Sequence, residues 1–128
     1  MPNSEVVFYR DDDGSVPVLD WLADMRKRER RVFAKCYVRI ARLAEIGRGL
    51  RRPDADLLRD GIYELRIRFG HVNYRILYFF HGRSVAVLAH CLAKRDRVSD
   101  KDIEIALTRK ARFERAPDRH THYGQTER

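Results

Sequence analysis

Only two of the 128 residues are cysteine, four are proline and seven are glycine. Cys36 and Cys91 each sit among apolar neighbours, which reads as buried, reduced thiols and excludes a disulfide framework or a zinc quartet. No apolar run approaches the roughly eighteen residues of a membrane span, and no charged-then-apolar leader opens the sequence, so a cytoplasmic protein without membrane contact is expected. A glycine-rich phosphate loop, a nucleophile elbow and a dinucleotide fingerprint are all missing, and no cofactor is implied. His120 and His122 lack a third ligand at a recognisable spacing, so no metal site is expected. His71 and His81 read as turn residues.

What remains is a chain of one-domain size with 44% apolar positions and a formal charge of +8. Residues 1–116 are expected to fold as one domain, with 117–128 a polar, mobile tail. Basic residues outnumber acidic ones 27 to 19, and 22 of the 27 are arginine. Arginine grips phosphate bidentately and keeps its charge, so nucleic acid outranks membrane as the partner.

Glu5 to Tyr9 is a short β-prone run closed by Asp11-Asp12-Asp13-Gly14. Ser15 is positioned to cap a helix with Pro17 in its first turn, running to about Met25. Val32, Phe33, Cys36, Tyr37, Ile40, Leu43 and Ala44 recur at three and four, the spacing of a second helix that Gly47 stops. From Ile62 the period drops to two: Tyr63, Leu65, Ile67 and Phe69 alternate with Glu64, Arg66 and Arg68. Gly70-His71 is the two-residue, glycine-first loop of a hairpin, which pairs Phe69 with Val72, Arg66 with Arg75 and Glu64 with Leu77. A third strand, 85–94, follows through His81-Gly82, and the shortest turn sets Phe80 against Arg83 and His90 against Asn73. Ser99 caps a last helix with Asp100 and Asp102 in its first turn. The expected architecture is α+β: an antiparallel sheet made of the N-terminal strand and a three-stranded meander, with all helices on one face and the other face open and basic.

Like charges directly opposite across two strands repel, so the pair Arg66/Arg75 invites either a bridging anion or neutralisation by Glu64, Asp96 or the tail. Phosphodiester cleavage needs such a set. A 2′-hydroxyl must lose a proton, the phosphorane must be neutralised and the departing 5′-oxygen must gain a proton. Arginine serves only the middle task, which leaves His90, Glu64 or Lys94 for the other two.

Glu64-Leu65-Arg66, the strand Asn73-Tyr74-Arg75-Ile76-Leu77-Tyr78-Phe79-Phe80, then Leu92-Ala93-Lys94-Arg95 and the last helix resemble the RelE/ParE toxin superfamily, most closely its HigB-like branch, often described as phage-derived. The resemblance implies a RelE-like fold and the toxin of a type II toxin–antitoxin pair, in most members a ribosome-dependent mRNA endonuclease (mRNA interferase) that needs no metal and inhibits translation. By the same resemblance Arg75 matches the arginine that contacts the scissile phosphate, Arg95 the one that stabilises the transition state, with Lys94 beside it, and Arg66 the Glu-Leu-Arg arginine. The basic lysine of RelE's second strand is replaced by Glu64, and its catalytic tyrosine by Lys101, so the base is His90 or Glu64.

Arg26, Lys27, Arg30 and Arg31, with Arg48, Arg51, Arg52 and Arg68, then read as a contact for ribosomal RNA, or else as a solvated helix face. The resemblance further implies a cognate antitoxin, a helix-turn-helix protein through which the complex binds operator DNA. Two other readings stay open: a ParE-like gyrase inhibitor without catalysis, and a phage-derived nucleic-acid-binding module.

Overall fold

A computed structural model of the protein describes residues 4–94 and 97–124, Lys94 by its backbone only. The elements are β1 (Glu5–Tyr9), α1 (Pro17–Arg28), α2 (Arg30–Ile46), a 3₁₀ turn at Gly47–Gly49, β2 (Ala55–Arg59), β3 (Ile62–Phe69), β4 (Val72–His81), β5 (Val85–Lys94), α3 (Asp100–Arg115) and β6 (Thr121–His122). One sheet holds the strands in the order β2-β3-β4-β5-β1-β6, antiparallel throughout except where β1 runs parallel to β5. The class is α+β, with three helices on a mostly antiparallel sheet.

Two strands exceed the expected set: β2, which adds an edge beside β3, and β6. Helix α1 starts with Pro17 at its first turn but without a side-chain cap, because Ser15 is drawn into the aspartate turn, its N–H donating to Asp13 Oδ1 at 2.9 Å. The helix passes Met25 and ends at Arg28, one residue short of α2, so the basic run is a helix junction. Gly47, at φ 69, ends α2 in a conformation that glycine adopts without strain.

The helices do not share one face. Val18, Leu22, Phe33, Cys36, Ile40 and Leu43 of α1 and α2 pack on Leu65, Ile67, Ile76 and Tyr78. Ile103, Ala106 and Phe113 of α3 pack on Ile62, Leu77, Phe79 and Val87, which point the other way from the same strands. The cause lies in β4, whose residues from Arg75 to Phe80 are all buried. A strand sandwiched between two layers needs apolar side chains on both faces, which Ile76-Leu77-Tyr78-Phe79-Phe80 supplies.

Of the tail expected over 117–128, residues 117–124 are described, and they dock on β1. Thr121 and His122 pair with Tyr9 and Phe8. His120 is buried, stacks on Tyr9 with ring centroids 5.4 Å apart, and places Nδ1 2.8 Å from the Arg10 carbonyl.

Burial holds the Cys36 thiol up to about pKa 12 and the Cys91 thiol well above its usual value. Thiolate is the reactive form, so neither residue is expected to alkylate at about pH 8 in the native protein, while both react in denaturant. Mass spectrometry after a timed iodoacetamide pulse checks this, and rapid native labelling would contradict the burial.

Candidate functional site

The first hairpin has the register that its glycine-first turn dictates: Phe69 faces Val72, Arg68 faces Asn73, Arg66 faces Arg75 and Glu64 faces Leu77. The second hairpin departs from the expected one. Its turn is Gly82-Arg83-Ser84, with His81 facing Val85, and Gly82 takes φ 63. Further along, Tyr78 faces Leu88 but Leu77 faces His90, which leaves Ala89 as the extra residue of a β-bulge. Arg109 of α3 caps the bulge, donating from Nη1 to the Ala89 carbonyl at 2.7 Å. The longer turn and the bulge move His90 from its expected place opposite Asn73 to a place opposite Leu77, and set Lys94 opposite Asn73.

Three rows of side chains therefore cross one face. Asp56, Glu64, Leu77 and His90 form the first; Arg66, Arg75 and Leu92 the second; Arg68, Asn73 and the backbone position of Lys94 the third. This is the face that α3 covers, but only in part. Phe113 near the helix end lies over Phe79 and His81, and the helix start reaches His90 through Asp102. In the second row Arg75 and Leu92 are buried and Arg66 is half-buried, while in the third Arg68 is exposed and Asn73 half-buried, so the basic surface left open is the half of the face that carries Arg66 and Arg68.

Within it the two central arginines differ. Arg75, expected on the solvent side, is only 5% exposed, and its Nε lies 2.8 Å from Glu64 Oε1, itself on a residue 7% exposed. Arg66 is half-buried, and its side chain has no hydrogen-bond or ion-pair partner among the described residues. Burial raises the Glu64 carboxyl above its usual range, against the pull of Arg75, Arg66 and Arg52 and with a push from Asp56. Asp56 is held in turn by Arg52, Nη2 to Oδ2 at 2.7 Å. The neutralising role considered for Glu64 is thus realised on Arg75, while Arg66 keeps its charge available to an incoming anion.

His90 Nε2 lies 3.0 Å from Asp102 Oδ1. Ser99 caps α3 as expected, accepting from the Asp102 N–H, and its hydroxyl donates to Asp102 Oδ2 at 2.6 Å. Asp102 therefore holds the imidazole and the helix start together. Sequence reasoning placed Ser99 at the cap and Asp102 in the first turn but did not connect Asp102 to His90, because only the bulge brings strand and cap together. Arg95 and the Lys94 side chain lie outside the described residues.

The remaining basic residues separate into two groups. Lys27, Arg30 and Arg31 are exposed at the α1–α2 junction, and Arg26 lies over the Phe33 ring at 5.9 Å. Lys35, one turn into α2, donates to the Arg68 carbonyl, so this junction lies toward the sheet end that carries the exposed Arg68. Arg48 instead donates to the Gly82 carbonyl at the opposite end and lies over Phe80 at 4.4 Å. Arg51 donates to the Arg48 and Leu50 carbonyls, and Arg52 is paired with Asp56. These three are engaged in local structure and do not continue the junction's ridge.

Among the described residues no three His, Cys, Asp or Glu side chains cluster as a metal site. No helix is long and apolar enough to cross a membrane. A comparison with curated proteins gave no match. A family model described as phage derived protein Gp49-like (DUF891) matches residues 20–111, from α1 through most of α3.

Proposed function

The chain belongs to the phage-derived Gp49-like family, and we propose from that membership and the site geometry that it is the toxin of a type II toxin–antitoxin pair, cleaving mRNA at the ribosome without a metal. The observation that carries the reading is the cross-strand pair of a half-buried Arg66 at the open half-face and a buried Arg75 behind it, with Glu64 and His90 in the adjoining row. In this reading a 2′-oxygen attacks the adjacent phosphorus while its proton passes to His90 or Glu64. Arg66, supported by Arg75, neutralises the phosphorane, and the P–O5′ bond breaks as the departing oxygen takes a proton from the other of these two groups or from Lys94. Lys94 and Arg95 follow at the end of β5 and, on the strength of the RelE-like resemblance, belong to the same set. The toxin works in the cytoplasm, and a helix-turn-helix antitoxin covers the basic half-face and carries the complex to operator DNA.

Inducing the wild-type chain in a bacterial host, with growth followed and mRNA 5′ ends mapped, tests this. Growth arrest with new ends at a fixed position within codons is expected. Arrest with broken DNA and an SOS response, but no new ends, would replace the reading with gyrase inhibition. Harmless expression with strongly salt-dependent nucleic-acid affinity would replace it with a binding module.

Ribosome binding is assigned to the exposed junction residues Lys27, Arg30 and Arg31 together with Arg68. Reversing the first three to glutamate is expected to weaken ribosome binding and to flatten its dependence on salt, because fewer counterions are released. An Arg48→Ala variant, whose side chain is engaged at the far end of the sheet, is expected to leave that slope within error. Equal slopes for wild type and the triple reversal would remove the junction from the interface.

A further inference from the structure

Where the end of β2 faces the start of α3 lies an open pocket of about 690 Å³, and Ser99 of its lining is bonded to the Asp102 that holds His90. Its volume falls within the range of small-ligand sites. We infer that this pocket seats the base of a nucleotide next to the cleaved phosphate, an inference that rests on the nuclease reading above.

Position comes first. Leu58 and Ile103, two of the pocket's walls, pack in one cluster with Ile62. Ile62 is on the same face of β3 as Glu64 and Arg66 and four residues before the latter, about 13 Å at the usual strand rise. A single strand whose phosphate rests on Arg66 therefore has its neighbouring nucleotides within reach of the pocket.

Chemistry comes second. Leu58, Val98 and Ile103 offer an apolar wall for the flat face of a ring. Of the two arginines in the lining, Arg59 is already neutralised: Nη1 lies 2.9 Å from Asp60, and Nη2 lies 3.0 Å from Glu104 and 3.7 Å from Asp100. A phosphate gains little at Arg59 compared with Arg66, whose side chain has no ion-pair partner among the described residues, whereas an uncharged base loses nothing there. The Asp100 side chain, 92% exposed at the rim, is placed to accept from a base's exocyclic amine. Arg97, exposed and without a partner among the described residues, can lay its guanidinium plane on a base or meet the backbone that leads in.

The division of labour is that the arginine pair binds phosphate and the pocket binds base, and titration of the full chain separates the two. Inorganic phosphate and adenosine 3′-monophosphate are compared by NMR, following Kd and amide shifts. The nucleotide is expected to bind at least tenfold more tightly than phosphate, a gain of the size that one base contact contributes, with shifts at Val98, Ser99 and Ile103 that phosphate does not cause. Leu58→Trp, which fills the pocket from a half-buried position, is expected to erase the tenfold advantage and leave the phosphate Kd within twofold. Equal affinity for the two ligands, or an advantage that survives Leu58→Trp, would overturn the pocket alone. Binding of neither ligand would overturn the phosphate site and, with it, the nuclease reading. If Leu58→Trp does not fold, the wild-type shifts decide: nucleotide shifts confined to the Arg66/Arg75 row overturn the inference.

Discussion

Arg66→Ala is expected to lower mRNA cleavage by about a hundredfold or more and to release growth arrest, while changing stability by no more than about 0.5 kcal/mol. Both halves follow from the same geometry. Arg66 faces Arg75 across the strand pair, its side chain carries no partner among the described residues, and it is half-buried on the open half-face, so its removal deletes a charge without orphaning another. The loss of a like charge opposite Arg75 even relieves some repulsion. Arg66→Lys is expected to recover only part of the activity, because an ammonium cannot span two phosphate oxygens as a guanidinium does. Primer extension on transcripts from induced cells, beside a thermal melt of each variant, gives the two readings. A fully toxic Arg66→Ala would take this residue out of the site.

Arg75→Ala is expected to act through the fold, destabilising it by about 3–5 kcal/mol at neutral pH, the usual cost of breaking a buried ion pair from one side. A domain of this size has only about 5–15 kcal/mol to lose. The orphan would be Glu64, 7% exposed and left without its cation at 2.8 Å. Adding Glu64→Gln to Arg75→Ala removes the stranded charge and should restore a large part of the loss. The pH dependence has a definite sign. The Glu64 carboxyl already titrates above its usual value in the fold, so it favours folding when protonated, and that contribution is lost as pH rises through the folded value. Without Arg75 the displacement grows, so the deficit of Arg75→Ala should be widest at neutral pH and narrow on acidification toward the ordinary carboxylate range. Denaturant midpoints of wild type, single and double variants across that interval decide it. A single variant as stable as wild type at pH 7 would mean that the pair is not closed off from water. Loss of toxicity in Arg75→Ala alone is therefore poor support for catalysis, and Arg66 is the cleaner probe.

Much of this arrangement was legible in the residues, and what escaped did so for physical reasons. Gly70 at the first position of a two-residue loop admits one register, and every pair from Phe69/Val72 inward follows from it. The loop after His81 carries no comparable constraint, and nothing in Val85-Ala86-Val87-Leu88-Ala89 marks the bulge, since its stabiliser, Arg109, comes from a helix twenty residues away. That bulge decides where His90 sits, so the histidine was assigned to the right face and the wrong row. The second helical layer was visible in principle. Tyr63 to Phe69 alternates, as a strand wet on one side does, whereas Ile76 to Phe80 is apolar without a break, and that difference reports cover on both faces. β2 offered less: in Ala55-Asp56-Leu57-Leu58-Arg59 only Ala55 is buried, and charge flanks the leucines.

The parallel pairing of β1 with β5 bears on the order in which the molecule can be made. Residues 5–8 find their neighbours at 85–88, and residues 8 and 9 are covered on the other edge only by 121 and 122. β1 must therefore wait, unpaired, until residues 85–88 are available, and contacts so distant along the chain are the slow ones to close. Meanwhile the local β3–β4 hairpin, which carries Arg66 and Arg75, has everything it needs for its own register. The hairpin alone can align the two guanidiniums, but the face that carries them is complete only once α3 has packed on Leu77, Phe79 and Val87.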